Sequence, residues 1–265
     1  MAATERIVVI ERSLAIAERR IVDAVARIDP SWGSMTFDLA DGAAILAGPG
    51  LYTNQVMGAG LRQALTDDDL AHLEEHAEDI GVVPAVQTCE ATRSDAIERL
   101  RRRGYRAEAG RCAVVHDLEH RPVVDHDHSI EFIGVAQVDA WQEASAEGWG
   151  HVTPRTRAAS DVYARAAAES DTPGLLLARD ATGVVVGAAM LRIDGDIATL
   201  GGMSTRPEAR RRGVQSALIA HRLSWAHDAG CAIAVSTALP GGGSLRNLER
   251  LGFRPSHTHT TWERV

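Results

Sequence analysis

The sequence predicts an α/β (α+β) protein in which a mixed sheet is flanked by helices. Apolar runs of strand length alternate with segments of helical periodicity along the whole chain. A polar stretch without periodicity, "LEHRPVVDHDH" (118–128), separates two such series. The length of 265 residues suits one large domain or two small ones. We therefore expect an N-terminal α/β domain over 1–122 and a second domain over 123–265.

The N-terminal half shows helix and strand signals in alternation. Pro30 ends a long first helix, and Thr66 is placed to cap a helix that has three acidic residues in its first turn. The segment "GPGLYTNQVMGAG" (48–60) is expected to be a turn. The expected helices cover 4–28, 67–81 and 94–103, and the expected strands cover 42–48, 82–88 and 112–118.

The C-terminal half repeats this alternation. The turn "DATG" joins two of its strands, and a third strand leads directly into the arginine-rich segment "EARRRGVQSALI" (208–219). The expected helices cover 136–150, 156–170, 214–229 and 244–251, and the expected strands cover 129–135, 174–180, 183–193, 196–205, 231–237 and 257–265.

One sequence pattern occurs in both halves. "SDAIERLRRRGYRAE" (94–108) and "SLRNLERLGFRPS" (244–256) both run from a serine through a basic helix to Gly-aromatic-Arg. Two interpretations stay open: a common way for a helix to lead into a strand, or a degenerate tandem copy of one fold.

Composition excludes several classes of protein. All 28 basic residues are arginine, which excludes a P-loop lysine, a Schiff-base lysine and pyridoxal-phosphate chemistry. A net charge of −8 argues against a nucleic-acid binder, which needs a broad basic face. The first twenty residues carry charges through their apolar stretch, and no run approaches the roughly 18 apolar residues of a membrane span. We expect a cytoplasmic protein with no membrane or nucleic-acid partner.

No metal site is expected. The three cysteines, Cys89, Cys112 and Cys231, lack CxxC spacing and are expected to be reduced thiols. Four histidines and two aspartates cluster around the linker, but no regular frame holds them: His116, His120, Asp125, His126, Asp127 and His128. His257 and His259 alternate along the last strand and are expected to face solvent.

The segment "EARRRGVQSALI" has the properties of an anion cradle. It lies where a strand turns into a helix, and the free N–H groups and positive dipole of a helix start attract anions. Gly213 allows a ligand close to the backbone, and Arg210, Arg211 and Arg212 add positive charge.

This turn resembles the acetyl-CoA signature of the GNAT acyltransferase superfamily, Arg-x-x-Gly-x-Gly/Ala. Arg210 matches the arginine and Gly213 the first glycine, whereas Gln215 replaces the usual Gly or Ala. "SLRNLERLGF" (244–253) resembles the last helix of the family and its exit into a strand. The resemblance covers about 128–265 and implies the GNAT fold, a mixed, mostly antiparallel sheet flanked by helices. The N-terminal domain is then a degenerate GNAT-like copy or a supporting domain.

The resemblance also implies the residues that bind the cosubstrate. The pantetheine arm is expected along the backbone of one strand and the pyrophosphate at the turn that follows it. The implied acetyl-CoA contacts are Met203, Ser204, Thr205, Arg210, Arg211, Arg212, Gly213, Val214, Gln215 and Asn247.

The catalytic groups follow the family pattern less closely. Leu248 stands where many members have a tyrosine that protonates the thiolate, so Ser244 or Asn247 is the implied donor. No acid lies between Thr199 and Thr205 to act as the base, which leaves ordered water or a residue of the loop 147–155, where His151 is the candidate. In that loop Glu147, Trp149 and His151 are the implied acceptor contacts.

The expected function is N-acetyl transfer from acetyl-CoA to a primary amine of a small molecule, by direct transfer in a ternary complex. The alternative is a CoA-binding regulatory or scaffold protein of GNAT fold with little catalysis. Acetyl-CoA and a small amine are the expected partners, and a homodimer is compatible with the sequence.

Overall fold

A computed structural model of the chain describes residues 3–123, 126–170 and 174–265. These residues form two compact units. Unit 1 takes its residues from Met1–Ala113 and Ser256–Val265, and unit 2 from Val114–Pro255. No helix in these described ranges has an apolar run long enough to cross a bilayer.

The order of elements follows the predicted alternation. The helices are α1 (Ala3–Ile28), α2 (Asp67–Asp79), α3 (Ser94–Arg102), α4 (Val138–Trp149), α5 (Pro154–Glu169), α6 (Val214–Asp228) and α7 (Gly243–Arg250). The strands are β1 (Met35–Leu39), β2 (Gly42–Leu46), β3 (Asn54–Met57), β4 (Ala85–Thr88), β5 (Tyr105–Asp117), β6 (Ser129–Phe132), β7 (Leu175–Arg179), β8 (Val185–Asp194), β9 (Ile197–Thr205), β10 (Ile233–Ala238) and β11 (Arg254–Arg264).

Unit 1 is built on a sheet of order β1-β2-β3-β4-β11-β5. The β1–β2, β2–β3 and β4–β11 pairs are antiparallel, and β3 runs parallel to β4 with α2 between them along the chain. The apolar face of α1 is buried because Ile10, Leu14, Ile21 and Val25 recur at helical spacing. A second core lies under α2 and α3 and includes Leu70, Leu73 and Leu100.

Two strands of unit 1 were not predicted. β3 occupies part of the segment 48–60 that was expected to be a turn, and Val56 within it is fully buried. Asn54 closes a shorter turn by accepting from Gly48 N at 2.9 Å and donating to Gly48 O and Leu51 O. β1 was also not predicted: its apolar residues alternate with polar ones, and only Leu39 of its five residues is buried.

Unit 2 is built on a mixed, mostly antiparallel sheet, as predicted. Its order is β5-β10-β9-β8-β7-β6. The β6–β7, β7–β8 and β8–β9 pairs are antiparallel, and β9 runs parallel to β10 with α6 between them along the chain. A helical crossover is the usual connection between parallel strands. Here α6 follows β9 after a short turn, so the helix begins near the end of β9.

The units divide the chain differently from the expected boundary at 122/123. Within β5 the division falls between Ala113 and Val114, and the last ten residues, Ser256–Val265, belong to unit 1. A polar stretch such as 118–128 indicates a surface segment, but only strand pairing decides which sheet the last strand joins.

Candidate functional site

The strands β9 and β10 of unit 2 pair over a short stretch only. Their pairing runs from Ile197↔Ile233 to Thr199↔Val235. Just beyond it, the Ser236 hydroxyl donates to Leu200 O at 2.8 Å, and no further backbone pair joins the two strands in the described chain. Both strands continue after this point, so the last residues of β9 are not paired with β10, and we call this unpaired stretch the gap.

A bulge shapes β9 beside this gap. The register shifts from Ala188↔Ser204 to Met190↔Gly201, so Gly202 and Met203 together lie opposite Ala189. Gly202 has φ +53, and a Cβ there would lie 2.2 Å from Met190 Cε. The backbone angle therefore favours glycine, and a side chain there would also displace the flexible end of Met190. The bulge moves the backbone at 202–203 out of the regular ladder.

The turn after β9 presents a helix start to the same gap. Gly213, with φ +82 and ψ −3, is the N-cap of α6, and Arg211 also has a left-handed backbone with φ +64. No side chain caps the free amides of α6, and nothing lies within 4 Å of a Cβ built on Gly213. The amides at this helix start are open to an anion.

A cavity of about 720 Å³ joins these features. It runs from the end of α4 and β9, past the start of α6, to the first turns of α7. Its lining residues are Gly148, Trp149, Met203, Ser204, Thr205, Ala209, Arg210, Arg211, Gly213, Val214, Gln215, Ser216, Ser244, Asn247 and Arg250. We call this cavity the cleft.

The cleft brings together most of the residues implied by the resemblance. Nine of the ten implied acetyl-CoA contacts line it, and Arg212 is the exception. Ser244 and Asn247, the implied thiolate donors, also line it, as does Trp149 from the acceptor loop. Glu147 and His151 are not among the lining residues. Sequence reasoning did not single out Gly148, Ser216 or Arg250, which belong to neighbouring helices.

The arginines of the turn have different roles. Arg210 Nη2 donates to Gly148 O at 3.0 Å and so joins the turn to the C-terminal end of α4. Arg206, four residues earlier, lies 2.7 Å from the Glu147 carboxylate. The carboxylate expected to meet a cationic acceptor is therefore already paired with an arginine of its own unit.

Gln215 connects α6 to α7 at the floor of the cleft. Its amide nitrogen donates to Ser244 Oγ at 3.2 Å, and its amide oxygen accepts from Asn247 Nδ2. Arg250 donates in turn to Asn247 Oδ1. The Ser244 hydroxyl accepts this bond, and its own hydrogen has no acceptor in the described part of the chain. A hydroxyl donor is thus available at the wall of the cleft.

A buried cation lies behind the lining strand. Arg222 of α6 is fully buried, donates to Met190 O at 3.0 Å and Gly201 O at 3.2 Å, and lies 2.9 Å from Met203 Sδ. Burial lowers the pKa of Arg222 to about 9, so the guanidinium stays charged at neutral pH. The Arg222 hydrogen bonds therefore join α6 to β8 and β9 at the bulge.

The acceptor loop follows α4. Trp149 is the last residue of that helix and is 56% exposed. Gly150 follows it as a left-handed C-cap. His151 is half-buried, and its Nδ1 lies 3.4 Å from Ser160 Oγ. Burial, assisted by the positive charge of Arg157, lowers the pKa of His151 below its ordinary value. The ring is therefore neutral at physiological pH and able to accept a proton.

Two groups of the family pattern are not supplied by the corresponding elements of this chain. Leu248, at the position of the family tyrosine, is only 1% exposed and packs in the core of unit 2. β9 carries no acid between Thr199 and Thr205. Neither a strong acid nor a carboxylate base is therefore supplied by these elements.

The histidines differ from expectation. His257 and His259, expected to face solvent, are 5% and 2% exposed, because the face of β11 that they share packs toward α1 inside unit 1. His126 and His128 of the linker cluster have rings 6.3 Å apart, whereas Asp125 lies outside the described residues. A group of ligand-type atoms does meet elsewhere in the described chain, at Glu11, Cys89 and His257.

A gap between two parallel strands, a bulge and an uncapped, arginine-rich helix start are features that suit an extended anionic ligand, and they lie in an α/β domain. Residues 127–253 match the family model of the acetyltransferase (GNAT) family. The chain therefore carries a domain of the GNAT family, as the resemblance predicted. A search of the curated proteins finds no match to the sequence.

Solved structures extend the likeness to unit 1. A GCN5-related N-acetyltransferase from Kribbella flavida is 17% identical, with a TM-score of 0.63 over 94% of this chain and 96% of that chain. A tandem GNAT protein from the clavulanic acid biosynthesis pathway is 16% identical, with a TM-score of 0.60 over 84% of this chain and 78% of that chain.

A third solved structure, a GCN5-related N-acetyltransferase from Sphaerobacter thermophilus, is 19% identical with a TM-score of 0.57. The match covers 72% of this chain but spans only 64% of that protein. At these identities the structures show the fold alone. That fold is the GNAT fold, and the match to a tandem GNAT protein includes the N-terminal half.

Proposed function

We propose that unit 2 is an N-acetyltransferase that moves the acetyl group of acetyl-CoA directly to a primary amine of a small molecule. The observation that carries the proposal is the cleft itself: one continuous cavity joins an anion-binding helix start to a strand end and to two hydrogen-bond donors. Acetyl-CoA is the cosubstrate of the GNAT family, and its chemistry matches that order of features.

The pyrophosphate of acetyl-CoA fits the start of α6. The backbone amides after Gly213 are uncapped, and Arg211 and Arg250 bring positive charge to the cleft. The pantetheine arm fits the gap beside β9, where Met203, Ser204 and Thr205 offer strand-like backbone groups to a ligand that pairs as another strand would.

The reaction we propose is a direct attack on the thioester. The amine nitrogen forms a bond to the carbonyl carbon, and the oxyanion is held by backbone N–H at the bulge near Met203. The carbon–sulfur bond then breaks and the thiolate leaves with the bonding electrons. The Ser244 hydroxyl, oriented by Gln215, stabilises the thiolate by hydrogen bonding.

The proton of the amine must leave toward the acceptor side. His151, neutral because its pKa is lowered by burial, is the residue of the acceptor loop that can take it; because His151 does not line the cleft, the proton passes through water. Trp149 forms a wall of the cleft. Because Glu147 is paired with Arg206, its role in this proposal is to order the loop, and the acceptor is not required to displace it.

A CoA-binding regulatory protein with little catalysis is the second candidate. The burial of Leu248 and the lack of an acid on β9 favour it, since a serine hydroxyl is a weak acid. Release of free thiol from acetyl-CoA over a panel of small amines separates the two candidates. Turnover supports the transferase, whereas CoA binding without turnover on any amine supports the regulatory protein.

CoA binding itself is tested by calorimetry with two variants. Arg210→Ala combined with Gly213→Asp removes a cleft arginine and puts a negative charge at the helix start, so affinity for CoA should fall at least 100-fold. Arg212→Ala is the matched control, because Arg212 belongs to the same arginine run but does not line the cleft. Equal affinity of the double variant and the control would refute the assignment of the pyrophosphate site.

A further inference from the structure

A cluster of buried ionisable side chains lies in unit 1 and includes none of the cleft residues. Glu11 is in the middle of α1, Cys89 directly follows β4, and His257 lies on β11. The three side chains are buried, and Glu11 is 2% exposed. A carboxylate oxygen, the thiol sulfur and an imidazole nitrogen lie within 4.8 Å of one another.

A buried carboxylate needs a positive partner, and Glu11 has no arginine. Within the described chain it forms ion-pair contacts only with His257 and His259. The Nε2 atoms of both rings lie 2.7 Å from the same oxygen, Oε1. Gln87 Nε2 donates to the other oxygen, Oε2, at 3.2 Å. If both rings are neutral, one negative charge stays buried without compensation, which is costly.

The second ring nitrogens distinguish the two histidines. His257 Nδ1 lies 3.0 Å from Ser256 Oγ, so it can carry the ring proton and donate it to that hydroxyl. Its Nε2 is then free to bind a cation. His259 Nδ1 is buried without a partner, so its ring keeps the proton on Nε2 and donates it to Glu11. His257 thus acts as a ligand, and His259 holds the carboxylate.

Thr92 orients the cysteine. Thr92 Oγ accepts from Cys89 N at 2.9 Å and lies 3.9 Å from Cys89 Sγ, where its hydroxyl can donate to sulfur. A hydrogen bond of this kind stabilises a thiolate. Each of the three ligand-type side chains therefore has a second residue that orients it.

Charge and donor type together select the ion. A carboxylate and a thiolate balance a divalent cation, and an S, N, O donor set is one that zinc prefers over magnesium or calcium. Ligands at about 2.0–2.3 Å from a tetrahedral zinc lie about 3.3 Å apart. The 2.7 Å contact between His257 and Glu11 therefore has to open by a side-chain rotation when the ion enters.

We propose that unit 1 binds one zinc ion between Glu11, Cys89 and His257, with His259 and Gln87 orienting the carboxylate. Binding releases the thiol proton of Cys89, and the shift of the His257 proton to Nδ1 releases none. The ion joins α1, the end of β4 and β11, three elements that are far apart in the sequence. The three side chains fill three positions of a tetrahedral zinc, and a water molecule fills the fourth.

Metal content of the full-length protein tests the proposal first. Protein purified without chelator from zinc-supplemented medium should contain about one zinc per chain by elemental mass spectrometry. Removal with a strong chelator should lower the melting temperature, and added Zn²⁺ should restore it, because an ion that binds only the folded state stabilises it. Less than about 0.1 zinc per chain, with a melting temperature indifferent to Zn²⁺, would overturn the proposal.

Variants locate the ion. Cobalt substituted for zinc should give the near-ultraviolet absorption of a cobalt–thiolate bond, and Cys89→Ser should abolish it. Cys231→Ser is the matched control, since Cys231 is also buried and free but belongs to unit 2. His257→Gln should abolish zinc binding, and His259→Gln should weaken it by about 10- to 100-fold.

Circular dichroism of each variant checks that the fold persists. For a variant that does not fold, the cobalt spectrum of the wild-type protein is the deciding measurement, and lack of the thiolate band would count against the site. Zinc retained at full stoichiometry by folded Cys89→Ser and His257→Gln would place the ion elsewhere, at an adventitious position, and would also overturn the proposal.

Discussion

Gln215 is the residue at which this protein departs most clearly from its family's pattern. A small residue is usual there, where the backbone approaches the cosubstrate. Instead, the Gln215 amide bonds to both Ser244 and Asn247 and so joins α6 to α7. Gln215 therefore forms a polar bridge in place of a small residue. The bridge orients the Ser244 hydroxyl, which we assign as the donor to the thiolate.

Ser244 should affect turnover more than binding. Ser244→Ala removes one hydrogen bond to a charge that develops only as the thiolate leaves, so kcat should fall about 10-fold while the Kd for CoA changes little. Ser216→Ala is the control, because Ser216 lines the same cleft without contacting Gln215 through a hydrogen bond in the described chain. Equal loss of kcat in both variants would contradict the assignment.

Gly202 should be costly to replace because of its backbone angle. Gly202→Ala strains a left-handed backbone and makes the flexible end of Met190 move aside, so the free energy of unfolding should fall by about 1–3 kcal/mol. Gly201→Ala is the matched control, because its Cβ would meet only Arg192 Nη1, at 3.9 Å. Urea denaturation of the two variants measures the difference, and equal stabilities would show that the bulge tolerates a side chain.

At the scale of elements, each unit contains one parallel β–α–β segment, but the two helices begin in opposite ways. α6 begins at Gly213 with no side-chain cap and no acid in its first turn. α2 begins at Thr66, whose hydroxyl accepts from Asp69 N, and has Asp67, Asp68 and Asp69 in its first turn. An anion is therefore favoured at the start of α6 and repelled at the start of α2.

The sequence identified the elements that carry local signals. The α6 turn could be predicted because its arginines, Gly213 and the apolar helix are contiguous, and the same holds for the cap at Thr66. The bulge at Gly202 and the Gln215 bridge could not, because they depend on register and on residues from different elements. His257 and His259 were misread for that reason: alternation fixes a shared face, and only the position of α1 decides that this face is buried.

The element β5 contains a histidine that should make unit 2 sensitive to acid. His116 is half-buried, and its ring packs edge-on against Phe253 with the ring centroids 5.4 Å apart. Burial lowers the pKa of His116 below its ordinary value. The folded state then favours the neutral ring, whereas the unfolded chain binds a proton at about pH 6.5. Stability should therefore fall as the pH drops below about 6.5.

His116→Asn tests this pH dependence. The free energy of unfolding of the wild-type protein should decrease more steeply between pH 7 and pH 5 than that of the variant, measured by urea denaturation at each pH. Parallel curves for the two proteins would show that His116 has the same pKa in the folded and unfolded states.

At the scale of the whole molecule, two GNAT-like units do not imply two cosubstrate sites. In unit 1 the loop between β3 and α2 occupies the place that the arginine turn has in unit 2. There the Asp41 carboxylate already accepts from Leu61 N at 3.3 Å and Arg62 N at 2.6 Å. An internal anion thus occupies two amides of this loop, and the three aspartates in the first turn of α2 disfavour a bound anion at the helix start itself.

The protein should bind one CoA per chain. Isothermal titration of the full chain should give a stoichiometry of about one, and the variant with Arg210→Ala and Gly213→Asp should lose all the binding heat. A stoichiometry of two, or a second binding event that survives in the variant, would contradict the conclusion that unit 1 has lost the cosubstrate site.

The place of β11 has a consequence for the order of synthesis. In unit 1 this strand lies between β4 and β5, yet its residues are translated only after Val114–Pro255. During synthesis, β4 and β5 therefore lack the strand that lies between them until unit 2 has been translated. During that interval β4 and β5 are unprotected edges, so a nascent chain stalled before residue 256 would be the form most prone to aggregate.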